Sequence, residues 1–131
     1  MIDLDQMTRG FIACMLWAEN SHLTDDGPDL SPDDCAPSTL SAARELCESF
    51  AHYCAETGLD LDDVPGMDAA RIGHDLWLTQ AGHGAGFWDR GLGVLGDALT
   101  KAADTISAEC YLGDDGMVYL CGYENHKGAT E

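Results

Sequence analysis

Positive charge is what this sequence has least of. Only 6 of its 131 residues are Lys or Arg, against 24 Asp and Glu, and the net charge is −18 at pH 7. That balance excludes ordinary binding to a phosphate backbone, which needs Lys and Arg to displace counterions. No apolar run approaches the roughly 20 residues of a membrane-spanning helix. Met1-Ile2-Asp3-Leu4-Asp5 has neither the basic nor the apolar segment of a secretion leader, so the cytoplasm is the expected compartment. The zinc-binding spacing C-x2–4-C never occurs among Cys14, Cys35, Cys47, Cys54, Cys110 and Cys121. Four of these lie in otherwise apolar patterns, where reduced core thiols are expected rather than a disulfide framework. Proline is scarce too, and three of the four prolines fall between positions 28 and 37.

What is present is a core's worth of apolar residues, 45% of the chain, in a length that suits one domain spanning 1–131. Seventeen of the 24 acids are Asp. Self-repulsion at −18 opposes compaction, so the charge calls for a physical reason. A partner of such a surface should be basic, or a cation.

Met7, Phe11, Ile12, Met15 and Leu16 recur at helical spacing, with Asp5 as the expected N-cap. Residues 20–37, with three prolines and five aspartates, read as a loop. Ser38 reads as the N-cap of the clearest helix, in which Leu40, Ala43, Cys47, Phe50 and Cys54 follow at alternating spacings of three and four, with Gly58 in a C′ position. Its outer face carries Glu45, Glu48 and Glu56, and Leu59–Gly66 follows as an acidic turn. Ala69–Gly73 reads as one helical turn and Leu76-Trp77-Leu78-Thr79 as a short strand. Six of the fifteen residues from Gly82 to Gly96 are glycine, which implies a loop set by its backbone. Leu95, Leu99, Ala102 and Ile106 mark a third helix. Glu109–Cys121 reads as a hairpin centred on Asp115-Gly116, with Leu112 opposite Tyr119 and Cys110 opposite Cys121. The sum is an α+β fold of about three helices packed on a small antiparallel sheet that includes this C-terminal hairpin.

Four patterns bear on chemistry. Gly91-Leu92-Gly93-Val94-Leu95-Gly96 is formally G-x-G-x-x-G, but Phe87-Trp88-Asp89-Arg90 before it is no buried parallel strand. Too little chain follows for a doubly wound sheet, so a dinucleotide site is rejected. His74, Asp75, His83 and Asp89 lie within one sixteen-residue segment and are the candidates for a metal site or a base-and-orienter pair. A single segment does not show the convergence such a site needs. The acidic turns Asp25–Asp29, Asp60–Asp63 and Asp114–Gly116 lack the ligand spacing of a calcium loop. The fourth pattern is the charge itself. A carboxylate-dense surface imitates the charge of DNA, roughly one negative charge per 1.7 Å of axis, and suits the basic groove of a nucleic-acid-handling protein.

The run Gly73-His74-Asp75-Leu76-Trp77-Leu78-Thr79-Gln80-Ala81-Gly82-His83-Gly84-Ala85-Gly86-Phe87-Trp88-Asp89-Arg90-Gly91 resembles a family of small phage, prophage and plasmid proteins that shows a run close to GHDFWLTRNGHGAGFWDRG. The likeness continues more loosely through Gly96–Thr100 and Gly113–Tyr119. Gln80-Ala81 departs from the family's Arg-Asn. The resemblance implies a mobile-element origin and brings no catalytic residue with it. Small acidic phage proteins are often inhibitors of host defence, of the anti-restriction and anti-CRISPR kinds, and by that analogy the acidic surface would be the working part.

The expected function is therefore binding and inhibition of a host nucleic-acid-handling complex, without an enzymatic activity, a cofactor, direct nucleic-acid binding or membrane attachment. Glu45, Glu48, Glu56, Asp60, Asp62 and Asp63 are the expected contact residues for a basic partner surface. The alternative is a small hydrolytic or metal-binding protein built on His74, Asp75, His83 and Asp89.

Overall fold

The computed structural model describes residues 2–24, 29–82 and 84–124, with the side chains of residues 123 and 124 excepted. Among the described residues the fold is α+β, with four α-helices and two antiparallel strands. Helix α1 spans Leu4–Thr24, α2 Pro37–Glu56, α3 Ala69–Ala81 and α4 Val94–Ala103; strand β1 is Ile106–Leu112 and β2 Val118–Glu124. Among the described residues no helix is long and apolar enough to cross a membrane.

Helix α1 begins one residue before its expected cap. Asp3, not Asp5, closes the end, its Oδ1 accepting from the Gln6 N–H at 3.1 Å. Asp5 instead forms an ion pair with Arg44 on α2. The helix also runs to Thr24, so part of the expected 20–37 loop is helical, and Pro32–Asp34 forms a 3-10 turn. Helix α2 starts at Pro37, with Ala36 rather than Ser38 in the cap position. Proline suits the first helical position because its missing N–H would have no intrahelical partner there. The far end of α2 is as expected. Gly58 sits at φ 84°, its N–H bonds the Ala55 carbonyl at 3.2 Å, and the Leu59 N–H bonds the Cys54 carbonyl at 2.8 Å. This is the double bond of a Schellman end, which glycine's left-handed conformation allows.

The expected strand at Leu76–Thr79 is overturned: it is the second half of α3. Leu76, Trp77 and Leu78 are all buried, so the helix is enclosed on several sides and shows no clean apolar stripe. A run of Leu-Trp-Leu-Thr then looks strand-like, because periodicity does not separate a fully buried helical segment from a buried strand. Asp68 caps α3 by accepting from the Arg71 N–H at 2.8 Å, and Gly82 ends it at φ 73°.

Helices α1 and α3 lie unusually close. A Cβ on Gly73 would overlap the Met7 carbonyl, and one on Gly10 would overlap that of Ala70. Phe11 meets Trp77 edge-on at 5.4 Å, and Phe50 of α2 stacks on Phe87 at 5.8 Å. These pairs join α1, α2, α3 and the loop after α3 into one core. All six cysteines are free thiols; five are buried in or beside this core and Cys121 is exposed. Burial pushes the thiols of Cys14, Cys47, Cys54 and Cys110 up to about 12, and that of Cys35 up to about 11. They behave as small apolar side chains.

The hairpin exists, but its register is one residue off the expected one. Leu112 pairs with Val118, Tyr111 with Tyr119 and Cys110 with Leu120. The connection is a wider loop in which the Gly113 N–H bonds the Met117 carbonyl and the Gly116 N–H bonds that of Gly113, with Gly116 at φ 81°. That is a turn closed by one extra residue in the left-handed region, and the extra residue shifts the pairing by one. Since strand side chains alternate, the slip sends Ile106, Ala108, Cys110 and Val118 inward. The hairpin is supported without a third strand. Thr39 Oγ1 of α2 donates to the Val118 carbonyl at 2.8 Å, and the Ala36 N–H donates to the same oxygen at 3.1 Å.

Candidate functional site

Two regions hold the residues that chemistry would use. The first is the Gly73–Gly91 motif, which folds back on itself around Asp75. That carboxylate is fully buried, on the face of α3 that turns toward the following loop. Arg90 donates to it through both Nε, at 2.8 Å to Oδ2, and Nη2, at 2.9 Å to Oδ1. His74 Nδ1 lies 3.1 Å from Oδ1, and Arg71, one helical turn earlier, brings Nε to 3.4 Å. Three of the carboxylate's roughly four acceptor positions are taken by hydrogen bonds, and Arg71 adds its charge from 3.4 Å.

Burial alone would raise the Asp75 carboxyl, but the Arg90 bonds, with those of His74 and the charge of Arg71, override it and hold Asp75 below the usual carboxylate range. The same bonds raise Arg90. Thr79 completes the clasp. Its Oγ1 donates to the Asp75 carbonyl at 2.7 Å and accepts from the Phe87 N–H at 3.1 Å. Gly86 is required there because a Cβ would strike the Thr79 side chain.

Of the four residues considered for a metal or catalytic site, the fold joins His74 to Asp75 alone. Asp89 is exposed beside Arg90, and His83 lies outside the described residues. Among the described residues, no group of three or more His, Cys, Asp or Glu is arranged to hold a metal ion. The part of this site that sequence reasoning missed is its cations. Arg71 stands four residues before Asp75, an ordinary helical pair, and Arg90 lies in the same motif fifteen residues on. Trp17 of α1, 71% exposed, stacks on His74 at 6.2 Å. The glycine-rich segment 91–96 leads into α4 from a 3-10 turn at Phe87–Asp89, not from a parallel strand.

The second region is the outer face of α2 with the turn that follows it. Glu45, Glu48, Glu56, Asp60, Asp62 and Asp63 are all exposed. Asp60 fixes the turn by accepting from the Asp62 N–H at 3.0 Å, which opens a short 3-10 helix at Leu61–Asp63. The Schellman end of α2 brings this turn back alongside the helix. As a result Glu48, Asp60 and Asp62 stand around one concavity of about 320 Å³. Ile2, Leu4, Ala51, Ala55 and Leu61 give it an apolar lining. Glu56 pairs with His52 at 3.2 Å, while Glu45 and Asp63 are exposed outside the concavity. The fold thus gathers three of the six expected contact acids and leaves the others at its margins. The apolar floor was not visible in the sequence, because Ile2, Leu4 and Leu61 come from segments far apart in the chain.

Carboxylates standing around an apolar floor can receive a cationic side chain together with its aliphatic stem, as Lys and Arg present both. A search of protein-family models, curated proteins and solved structures found no match to this chain.

Proposed function

We propose that this protein binds the basic surface of a nucleic-acid-handling protein or nucleoprotein complex and blocks it, with the α2 face as the contact. The observation that carries this reading is the grouping of Glu48, Asp60 and Asp62 around one apolar-floored concavity, on a chain of net charge −18. Lys and Arg that hold phosphates would meet these carboxylates instead, and their stems would cover Leu61 and Ala55. The mobile-element origin implied by the Gly73–Gly91 resemblance points to a host defence complex of the restriction or CRISPR kind as the target. The host cytoplasm is the matching compartment.

The enzymatic alternative has less physical support. Asp75 is buried and held by Arg90 and His74 with the charge of Arg71 beside it, so a metal or a reacting group would have to displace these contacts to reach it. The test uses the protein immobilised against nuclease-treated bacterial lysate, beside a variant with Glu45, Glu48 and Glu56 changed to Gln and Asp60, Asp62 and Asp63 to Asn. The expected result is a partner held by the wild type, lost by the variant and released by duplex DNA, whose own DNA binding fails when this protein is added. Equal retention by both proteins, or indifference to DNA, would contradict the reading.

A further inference from the structure

The outer edge of β1 carries backbone chemistry that the hairpin does not use. In an antiparallel pair alternate residues turn their N–H and C=O toward the partner strand and away from it. The register puts Ala108 and Cys110 in the outward class. Ala108 follows that rule by donating its N–H to Gln80 Oε1 of α3 at 2.8 Å. The Gln80 carboxamide therefore takes the place of one peptide unit of a third strand. Its other half, Nε2, is buried and has no acceptor among the described residues. Turning the amide over would not help, since Nε2 would then face the Ala108 N–H. A groove of about 390 Å³ runs along this edge, between Glu19 and His22 on α1 and the strand residues up to Cys110, with Trp77 and Gln80 in its floor. Glu19 is itself positioned by the Trp77 Nε1–H, which donates to it at 3.1 Å. Glu109 is the second carboxylate on the groove wall.

We propose that this groove is a strand-addition site for an extended peptide segment bearing a Lys or Arg side chain. A carbonyl of the peptide accepts from Gln80 Nε2, its backbone runs beside Ala108 and Cys110, and its cation meets Glu19 and Glu109. Backbone pairing gives the affinity and the side-chain charge the selectivity, as in other strand additions. A second copy of this chain is a poor occupant, because two bodies at −18 repel. The site is separate from the α2 concavity and does not rest on the function proposed for it.

The experiment is a titration of isotope-labelled full-length protein with acetyl-Ala-Arg-Ala-Arg-Ala-amide, followed by nuclear magnetic resonance at the Gln80 side-chain amide, the Ala108 N–H and the Trp77 indole. Saturable shifts at all three are expected, weaker with a neutral peptide that has Ser in place of Arg. Gln80→Glu keeps the acceptor for Ala108, removes the donor and adds a negative charge. Charge attraction alone would tighten binding of the basic peptide to this variant; loss of the donor should weaken it about fivefold. Absence of shifts at these three groups in the wild-type protein, or shifts confined to residues around the α2 concavity, would overturn the proposal. So would undiminished binding by a folded Gln80→Glu protein.

Discussion

The Asp75 clasp and the α2 face handle charge in opposite ways. Around Asp75 two arginines and a histidine converge on one buried carboxylate, and the two Arg90 bonds tie α3 to the loop that follows it. On α2 and its turn, six acids face outward, with Glu56 paired to an exposed histidine and three others around an apolar floor. The first region has the densest motif in the sequence and spends it on internal contacts. The second has no motif at all, yet all six of its acids stand exposed. Residue types that suggest chemistry are thus poor guides here; the number of their donors and acceptors already used is the better one.

The largest effect should come from breaking the clasp. Arg90→Met leaves Asp75 buried with only His74 and Arg71, and removing one member of a buried pair costs about 3 kcal/mol or more. For a chain of this size that corresponds to a fall in Tm of roughly 10 °C, read by thermal unfolding at pH 7. Neutralising an exposed acid such as Glu45 or Asp63 should change stability by less than about 0.5 kcal/mol in the same measurement. Equal costs in the two regions would abolish the distinction between them.

Acid sharpens the contrast, since protonation acts with opposite sign in the two regions. Asp75 is held below its unfolded value, near 4, so its contribution is present above that value and lost as pH falls through the lower folded one. Protonating surface carboxylates relieves repulsion and stabilises the fold. The Tm of the wild type is expected to rise as pH is lowered from 7 toward about 5, then fall below about 4. The gap between wild type and Arg90→Met should narrow over the same acid range, because Asp75 loses its charge in both. A gap that stays constant down to pH 3 would mean that Arg90 acts through packing and not through the carboxylate.

How far the sequence could be read follows the same physical division. The α2 helix and its glycine end were legible because Ala43, Cys47, Phe50 and Cys54 keep a regular stripe and Gly58 satisfies a local rule. Helix α3 was misread where Leu76-Trp77-Leu78 lost its stripe to burial on several sides. The hairpin was legible from Asp115-Gly116, but its register depended on how many residues the turn encloses, which Gly116's left-handed conformation decided. The exposed acids were legible as acids. Their arrangement around a floor built from Ile2, Leu4 and Leu61 was not, since it depends on how the N-terminus and the turn meet α2. The clasp was half legible: His74 and Asp75 were recognised, while the role of Arg90 depended on a loop path that no local pattern fixes.

The smallest effect on stability should accompany the largest effect on binding. The sextuple variant with Gln and Asn on the α2 face is expected to melt near the wild-type temperature, because relief of mutual repulsion offsets the loss of the exposed Glu56–His52 pair. The measurement that bears most directly on the acidic face as the working surface is the association rate of wild type and this variant with the DNA-displaceable partner, followed across ionic strength. Complementary charge mainly speeds encounter. The wild type should therefore associate fast at low salt and slow steeply as salt rises, while the variant starts slower and shows a flatter dependence. Superimposable rates with the same salt slope would contradict the account, and would reduce the acids of α2 to a solvated coat.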